Sequence, residues 1–599
     1  MKQAELAPTK TVPNLPNNPS EPRILSDIVV DYLGQLGVEY VFGVPGGHIA
    51  PLYEALGRSE RKGGPRAILS RHESGAASMA DAYARETGKI GVCCATTGPG
   101  ATNLITGVAS AYTDRIPLLV ITGQTLLSRF GVGAFQESSP DWMDTARMFD
   151  SCTRYNTIVT HPKQLENKLV AALKTAFQSP PGPVHISVPV DVFRSPAPEQ
   201  IAYPNFTELL TKPSSFVDLA ALEELCQALY RVLSKGRKVV LLIGHDCKGA
   251  SQEIIAFAEL INAAIMTTQD GKTCINAYHP LARGVFGFGG HKTAREALTD
   301  ESVDLILAVG TSLAQWATSA WDKALLNDKL VHIHHANIYF GRTPMAGLHL
   351  QGTIKTIFQE LVVRLEAMQG SGKLNLPTFV NSKPSFSENG STQKPPYLPP
   401  QIEVQVPESY QSNSTPVKPQ RLVYELTQHF PPETRFLIDT GNWLAWAIHY
   451  FFPHHPENYR SSAELAAMGW GIGGAVGTAL AIPNTPVVCL TGDGSFLMNG
   501  QEITVAVAER LPVIFVILND QSYGMVKHRH RQVVKDSLEF AIPPVDFSLM
   551  AKAMGATGYT ICNPQDLEKL DYQGICTYPG PTVLDVHIDS EEIPPVGMF

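Results

Sequence analysis

The sequence predicts an α/β protein built from three doubly wound parallel-sheet domains. Two observations carry this reading. Short apolar runs alternate with helical patterns along the chain, and several of the runs exit into Gly-rich loops that open a helix. Two stretches rich in Pro and Ser then cut the alternation into three blocks of roughly 150 to 180 residues, the usual size of a domain.

The last block shows the pattern best. The apolar run Pro486–Leu490 leads into Gly492-Asp493-Gly494-Ser495, then a helical stretch around Glu502–Glu509. A second apolar run, Val513–Leu518, ends in Asn519-Asp520. A right-handed crossover makes the two strands parallel, so both exits share one sheet edge. Asp493 and Asp520 at those exits suit one hard cation with oxygen ligands, of the kind that holds phosphates.

Taken in order, residues 1–21 are polar and Pro/Asn-rich and read as a disordered arm. The first domain spans 22–195. Its helix from Arg23 ends at Gly37, a C-cap residue. The strand Tyr40–Val44 then runs into Pro45-Gly46-Gly47-His48, where glycines allow a close backbone approach. A strand at 67–70 leads to Glu73 at a helix start, where the helix dipole favours a carboxylate. The strand 90–95 feeds Thr96-Thr97-Gly98-Pro99-Gly100 and a helix carrying Asn103, a ligand-approach loop. Strands at 117–123 and 184–189 complete the block. Residues 196–215 read as a linker, and 216–368 as a central α/β domain with strands at 238–244, 304–309 and 330–334. Residues 369–418 read as an irregular linker and 419–599 as the third domain.

A net charge of −9 with no basic block argues against nucleic acid, and no apolar run approaches the roughly 18 residues of a membrane span. The polar N-terminus lacks a secretory h-region, and nine scattered cysteines include no CxxC pair. A cytoplasmic protein without structural disulfides is expected.

The motifs in this order resemble the thiamine-diphosphate enzymes, and among them the acetolactate (acetohydroxyacid) synthase large subunits. The motifs are Val41–Gly47, Arg71-His72-Glu73, Thr97–Asn103, Thr122-Gly123-Gln124, Ala134–Glu137 and the unit from Gly492 to Asp520 with Tyr523–Val526 after it. The resemblance implies a homodimer or homotetramer, with the first domain binding the cofactor's pyrimidine and the third its diphosphate across a subunit boundary. It implies thiamine diphosphate and Mg²⁺ as cofactors, and small-molecule 2-oxo acids as substrates. Glu73 would hydrogen-bond the pyrimidine and set up loss of the thiazolium proton. Asp493, Asp520 and a main-chain oxygen near Ser522 would bind magnesium. Pro45, Gly46, Thr97, Asn103, Asn442, Gly492, Gly494, Ser495 and Gly524 would line the cofactor. Met468 would be the wedge that bends it, and Met525 would touch the pyrimidine. Gly47, His48 and Gln136 would act at the reacting centre, and Phe135, Val526 and Arg529 would line the substrate pocket. The implied reaction is decarboxylation of pyruvate with carboligation to a second 2-oxo acid, as in branched-chain amino acid biosynthesis.

Several positions depart from the pattern. Arg529 stands where the synthases carry the Trp that selects the second substrate, within a basic loop Lys527–Arg531 that is either a solvated face or a carboxylate reader. His48 replaces a common Ala, as a proton-handling ring or a space-filler. About five extra residues lie near Pro140–Met143, and Trp443 occupies a position where His is common. Gly310–Trp316 replaces the Arg-rich run of the flavin-holding synthases, so no tightly bound FAD is expected. His332, His334 and His335 could form a metal site, with alternate residues on one strand face, or a polar strand end. These departures keep open an acyloin synthase for larger or aromatic 2-oxo acids, as in the scytonemin pathway, a simple decarboxylase, and a non-catalytic paralogue. They leave the acceptor and a regulatory subunit undecided.

Overall fold

Each block closes into one six-stranded sheet whose strands are all parallel. The structure, a computed structural model, describes residues 22–210, 215–377, 379, 398–534 and 538–595. The N-terminal arm, the end of the first linker and most of 378–397 lie outside the described residues.

The first sheet comprises β1 (Tyr40–Gly43), β2 (Arg66–Leu69), β3 (Gly91–Ala95), β4 (Leu118–Gln124), β5 (Tyr155–Ile158) and β6 (Val184–Pro189), in the order β2-β1-β3-β4-β6-β5. The central sheet comprises β7 (Lys238–Ile243), β8 (Ala264–Thr267), β9 (Ala282–Val285), β10 (Val303–Val309), β11 (Leu330–His334) and β12 (Leu348–Gln351), in the order β12-β11-β10-β7-β8-β9. The third comprises β13 (Arg435–Ile438), β14 (Tyr459–Ser461), β15 (Val487–Gly492), β16 (Val513–Asn519), β17 (Thr557–Ile561) and β18 (Thr582–His587), in the order β14-β13-β15-β16-β18-β17. The outer two domains therefore share one winding. The central domain follows the other doubly wound order, that of dinucleotide-binding sheets.

The inner strands are buried on both faces, which explains their unbroken apolar runs: β3, β4, β6 and β16 have no exposed residue. Helix Glu73–Thr87 of the first domain lies against helix Trp470–Ala481 of the third. Small residues bring the two backbones together. A Cβ on Gly477 would lie 2.1 Å from the Met79 carbonyl oxygen, and one on Gly473 2.9 Å from that of Gly75. Trp470 Nε1 donates to Asp81 at 3.1 Å across this seam.

Both linkers are more anchored than their composition suggests. Helix Phe206–Leu210 seats Phe206 edge-on to Tyr32 at 5.7 Å. In the second linker, Ile402, Val404 and Tyr410 are buried in the third domain's core. Among the described residues, no helix is long and apolar enough to cross a membrane.

Candidate active site

In an open α/β sheet, ligands sit where the strand order reverses, beyond the strand C-termini. In the first sheet that point lies between β1 and β3, and in the third between β13 and β15. The loops singled out in the sequence leave these four strands.

In the third domain they enclose a cavity of about 130 Å³. Asn442, Met468, Gly492, Asp493, Gly494, Ser495, Asp520, Ser522, Gly524, Met525 and Val526 all line it. Helices Asn442–Tyr450 and Gly524–Val533 start at its wall, so their partial positive ends favour an anion there. Gly524 is needed for space: a Cβ would lie 2.3 Å from Asp520 Oδ2 and 2.5 Å from Asn442 Nδ2. Asp493 Oδ1 accepts from Gly494 N at 2.7 Å, and Asp520 Oδ1 from Ser522 N at 3.1 Å. Asp493 Oδ2, Ser522 Oγ and Asn442 Oδ1 are buried without a partner. Burial and the nearby Asp520 push the Asp493 carboxyl up to about 7, and burial pushes Asp520 up to about 6. Two such carboxyls and orphaned oxygens beside helix N-termini fit a divalent cation holding an anionic group. Trp443 also lines the cavity, yet is 1% exposed and belongs to the core.

In the first domain, Glu73 begins its helix and is 8% exposed. Asn103 Nδ2 donates to Glu73 Oε2 at 3.0 Å, so Asn103 orients the carboxylate. Thr97 Oγ1 donates to Gln136 O and Gln124 Oε1, both at 3.1 Å, and contacts Ser138 Oγ. These bonds tie the loop after β3 to the one carrying Phe135 and Gln136. Glu137 organises that second loop by accepting from Gly131 N, Gly133 N, Ala134 N and Ser139 Oγ. The Ser139 hydroxyl and these amides hold its carboxyl below the usual range. Gln136 adopts φ +56°, a left-handed conformation strained for a non-glycine residue. Pro45, Gly46 and Gly47 follow β1, and Gly46 packs on Thr96. His48 follows with Nδ1 buried and unpartnered, and burial lowers its pKa.

No residue of the first domain lines the third domain's cavity. Phe135 is 80% exposed, and Val132 and Trp142 are also exposed nearby. The extra segment at 140–143 thus adds apolar surface beside the Glu73 half.

Two positioning residues escape sequence reasoning. Glu502 Oε1 accepts from Arg71 N at 3.2 Å and His72 N at 2.8 Å, the two amides just before Glu73. It is fully buried, and burial raises its carboxyl to about 7. Asp439 accepts from Thr491 Oγ1 at 2.8 Å and from Gly469 N and Gly471 N at 3.1 and 3.2 Å, fixing the turn after Met468. Glu502 belongs to no recognisable motif, whereas Asp439 opens the run Asp439–Trp443, in which Asn442 and Trp443 are the conspicuous residues.

One expectation needs correction, and one open alternative narrows. Lys527–Arg531 is helix, not loop, so its charges point in different directions. Lys527 is 3% exposed and pairs with Glu591 at 2.7 Å. The three histidines do not form one cluster. His332 is satisfied by Thr311 O and Thr343 Oγ1, both at 3.0 Å, whereas His334 and His335 face Asp246. His334 Nδ1 accepts from Ala336 N at 2.9 Å, so in the neutral ring Nε2 carries the proton and lies 3.0 Å from Asp246 Oδ2. With Arg115 at 2.9 Å from Asp246, this is a buried ion-pair network.

Residues 23–145, 226–361 and 439–586 match the N-terminal, central and C-terminal domains of the thiamine pyrophosphate enzymes. Acetolactate synthase 2, chloroplastic, of Nicotiana tabacum is 31% identical over 598 residues, covering 97% of this chain and 85% of that one. Acetolactate synthase of Arthrospira platensis is 30% identical over 579 residues, covering 94% of each chain. A solved structure from Mycobacterium smegmatis, described as a thiamin diphosphate-dependent enzyme, aligns with a TM-score of 0.75 at 22% identity, over 95% of this chain and 100% of that one. At that identity the likeness is one of fold.

Proposed function

The chain belongs to the thiamine pyrophosphate enzymes, and from that premise we propose that it decarboxylates pyruvate and joins the two-carbon remainder to a second 2-oxo acid, as acetolactate synthases do. The near full-length likeness to acetolactate synthases, with Glu73, Asp493 and Asp520 all in place, carries the reading.

The residues suit the cofactor. Asp493, Asp520 and Ser522 would hold Mg²⁺, with Asn442, Ser495 and the Gly524 helix start on the diphosphate. Met468 and Met525 supply apolar contacts for the rings. When bound, thiamine diphosphate supplies a nucleophilic carbon and a sink for the electron pair released as CO₂ leaves. Glu73, fixed by Asn103 and by the clamp of Glu502 on the preceding amides, would present its carboxyl to the pyrimidine. His48, after β1, and Gln136, on the loop after β4, would serve as proton-handling and polar groups for the substrate.

Within one chain Glu73 does not line the cavity that holds Asp493 and Asp520, and Phe135 is exposed. A second copy of the chain closing each site accounts for both features. In the central sheet, Asp246 occupies the reversal point between β7 and β10, paired with Arg115 and His334. A buried carboxylate there opposes a dinucleotide diphosphate, so tightly bound FAD is not part of this reading. Stoichiometric flavin bands in the purified protein's visible spectrum would refute that part.

The test is incubation with pyruvate, thiamine diphosphate and Mg²⁺, with mass spectrometry of the products. Acetolactate with released CO₂ is expected. Acetaldehyde alone, or no CO₂, would overturn the assignment.

A further inference from the structure

The three domains meet around another cavity, of about 150 Å³, which shares no lining residue with the first. Arg115 reaches it from the first domain, Lys248 and Asp270 from the central one, and Arg460 and Glu464 from the third. It is not the position at which doubly wound sheets hold dinucleotides. In the central sheet that position lies between β7 and β10, where the strand order reverses. The central domain's lining residues follow β7 and β8 instead, and none comes from the loop after β10.

Most of the charge at this junction is already paired. Arg85 holds Asp114 at 2.6 Å, Arg115 holds Asp246 at 2.9 Å and Arg460 holds Glu86 at 2.8 Å. Three lining groups are left over. Among the described residues, the Lys248 ammonium makes no hydrogen bond or ion pair, and neither Asp270 nor Glu464 has a cationic partner. Asp270 Oδ2 accepts from Gln269 Nε2 at 3.4 Å, and Glu464 Oε1 from Ser312 Oγ at 3.0 Å. The Arg115 side chain is 10% exposed, and its Nε is buried without a hydrogen-bond partner.

The leftover charges are sorted by sign. Burial and the neighbouring Arg460 lower the Lys248 pKa. Burial and the neighbouring Glu464 raise the Asp270 carboxyl well above its ordinary value, and burial and Asp114 raise that of Glu464. Positive charge is thus in excess around Lys248 and Arg460, and acid around Asp270 and Glu464. Two carboxyls so placed are costly to ionise unless a cation joins them.

We propose that this junction binds a small α-amino acid, as a zwitterion, on residues of all three domains. The ligand's carboxylate lies with Lys248, where Arg460 adds to the positive field, and its ammonium bridges Asp270 and Glu464. An anion alone leaves the two carboxyls unbalanced, and an amine alone leaves Lys248 so. The space takes roughly ten waters, which restricts the side chain to a few atoms. A ligand held by three domains binds their docked arrangement and stabilises it by mass action.

Calorimetry on the full chain, loaded with thiamine diphosphate and Mg²⁺, tests this. The probes are glycine, L-alanine and L-serine, with L-lactate and isopropylamine as the matching anion and amine. At least one of the amino acids should bind saturably, roughly tenfold or more tighter than lactate or isopropylamine, and should raise Tm. Its Kd should rise roughly tenfold or more in Lys248→Met and in Glu464→Gln, as loss of a charged hydrogen bond implies. Both variants should keep the fold, because Lys248 is exposed and a glutamine at 464 still accepts from Ser312; their Tm without ligand checks this. Lactate binding as tight and equally dependent on Lys248 would make this an anion site and overturn the proposal. So would saturable binding of none of the three amino acids, or a Kd unchanged in either variant.

Discussion

The two halves of the site differ in how complete a single chain makes them. The third-domain half is a cavity in which eleven expected residues meet. The first-domain half holds Glu73 firmly but opens onto solvent beside an 80% exposed Phe135. The difference follows from what each must bind. A cation–diphosphate pair requires charged groups gathered within one rigid frame, because carboxylates without a cation are costly to bury. A pyrimidine ring needs one oriented carboxyl and an apolar surround, and that surround can come from another surface.

The sharpest test of this division is Glu73→Gln. Turnover should fall by a factor on the order of 10² or more, while thiamine diphosphate affinity, read by calorimetry, changes little. Near-normal turnover would break the assignment of roles. Asp493→Asn should act the other way round. Cofactor affinity should drop by at least the ~10–100-fold seen when metal-site support is altered, with Mg²⁺ dependence becoming steeper; unchanged Mg²⁺ titration curves would remove Asp493 from the cation site.

Glu502 lies between the halves, and its loss should register as stability. Glu502→Ala leaves two amides unbonded, at about 1–3 kcal/mol each, and thermal unfolding should show the drop. Its pH dependence has a definite sign. The folded carboxyl titrates near 7 against an ordinary 4.5, so between those values the folded state keeps a proton that the unfolded chain has lost. Its contribution to stability therefore declines as pH rises through that window. Relative to wild type, cofactor-free Glu502→Gln should gain in Tm as pH goes from about 4.5 to 7; a constant difference would show that the carboxyl does not titrate there. The smallest effect belongs to Phe135→Ser. If a second copy covers this residue, the dimer dissociation constant should rise roughly tenfold, as loss of a buried aromatic side chain worth ~1.5 kcal/mol or more implies. Sedimentation of a dimer indifferent to the change would place the interface elsewhere.

Sequence reading succeeded where chemistry is local. A Gly-rich turn between a buried strand and a helix marks itself, so Gly46, Gly98 and Gly492 led to the correct sheet edges. It missed what depends on distant packing. Glu502 acts on amides some 430 positions earlier, and nothing near it in the chain announces this. Asp439 stood in a motif whose neighbours drew the attention. The basic run was misjudged because its direction depends on the helical period, which sorts Arg529 from Lys527. The histidines stayed open between two readings because strand alternation gives a face, not a partner; Asp246 comes from a loop after another strand.

The seam of Gly473 and Gly477 against Gly75 and Met79 has a mechanical consequence. Backbones that touch leave no side-chain cushion between them, so the two helices shift together or not at all. If two copies share their sites as proposed, each chain would lend its Glu73 end to one reaction centre and its Asp493 end to the other. A displacement of one end on loading would then pass through an almost incompressible joint to the opposite centre, a physical means for two distant turnovers to keep time with each other.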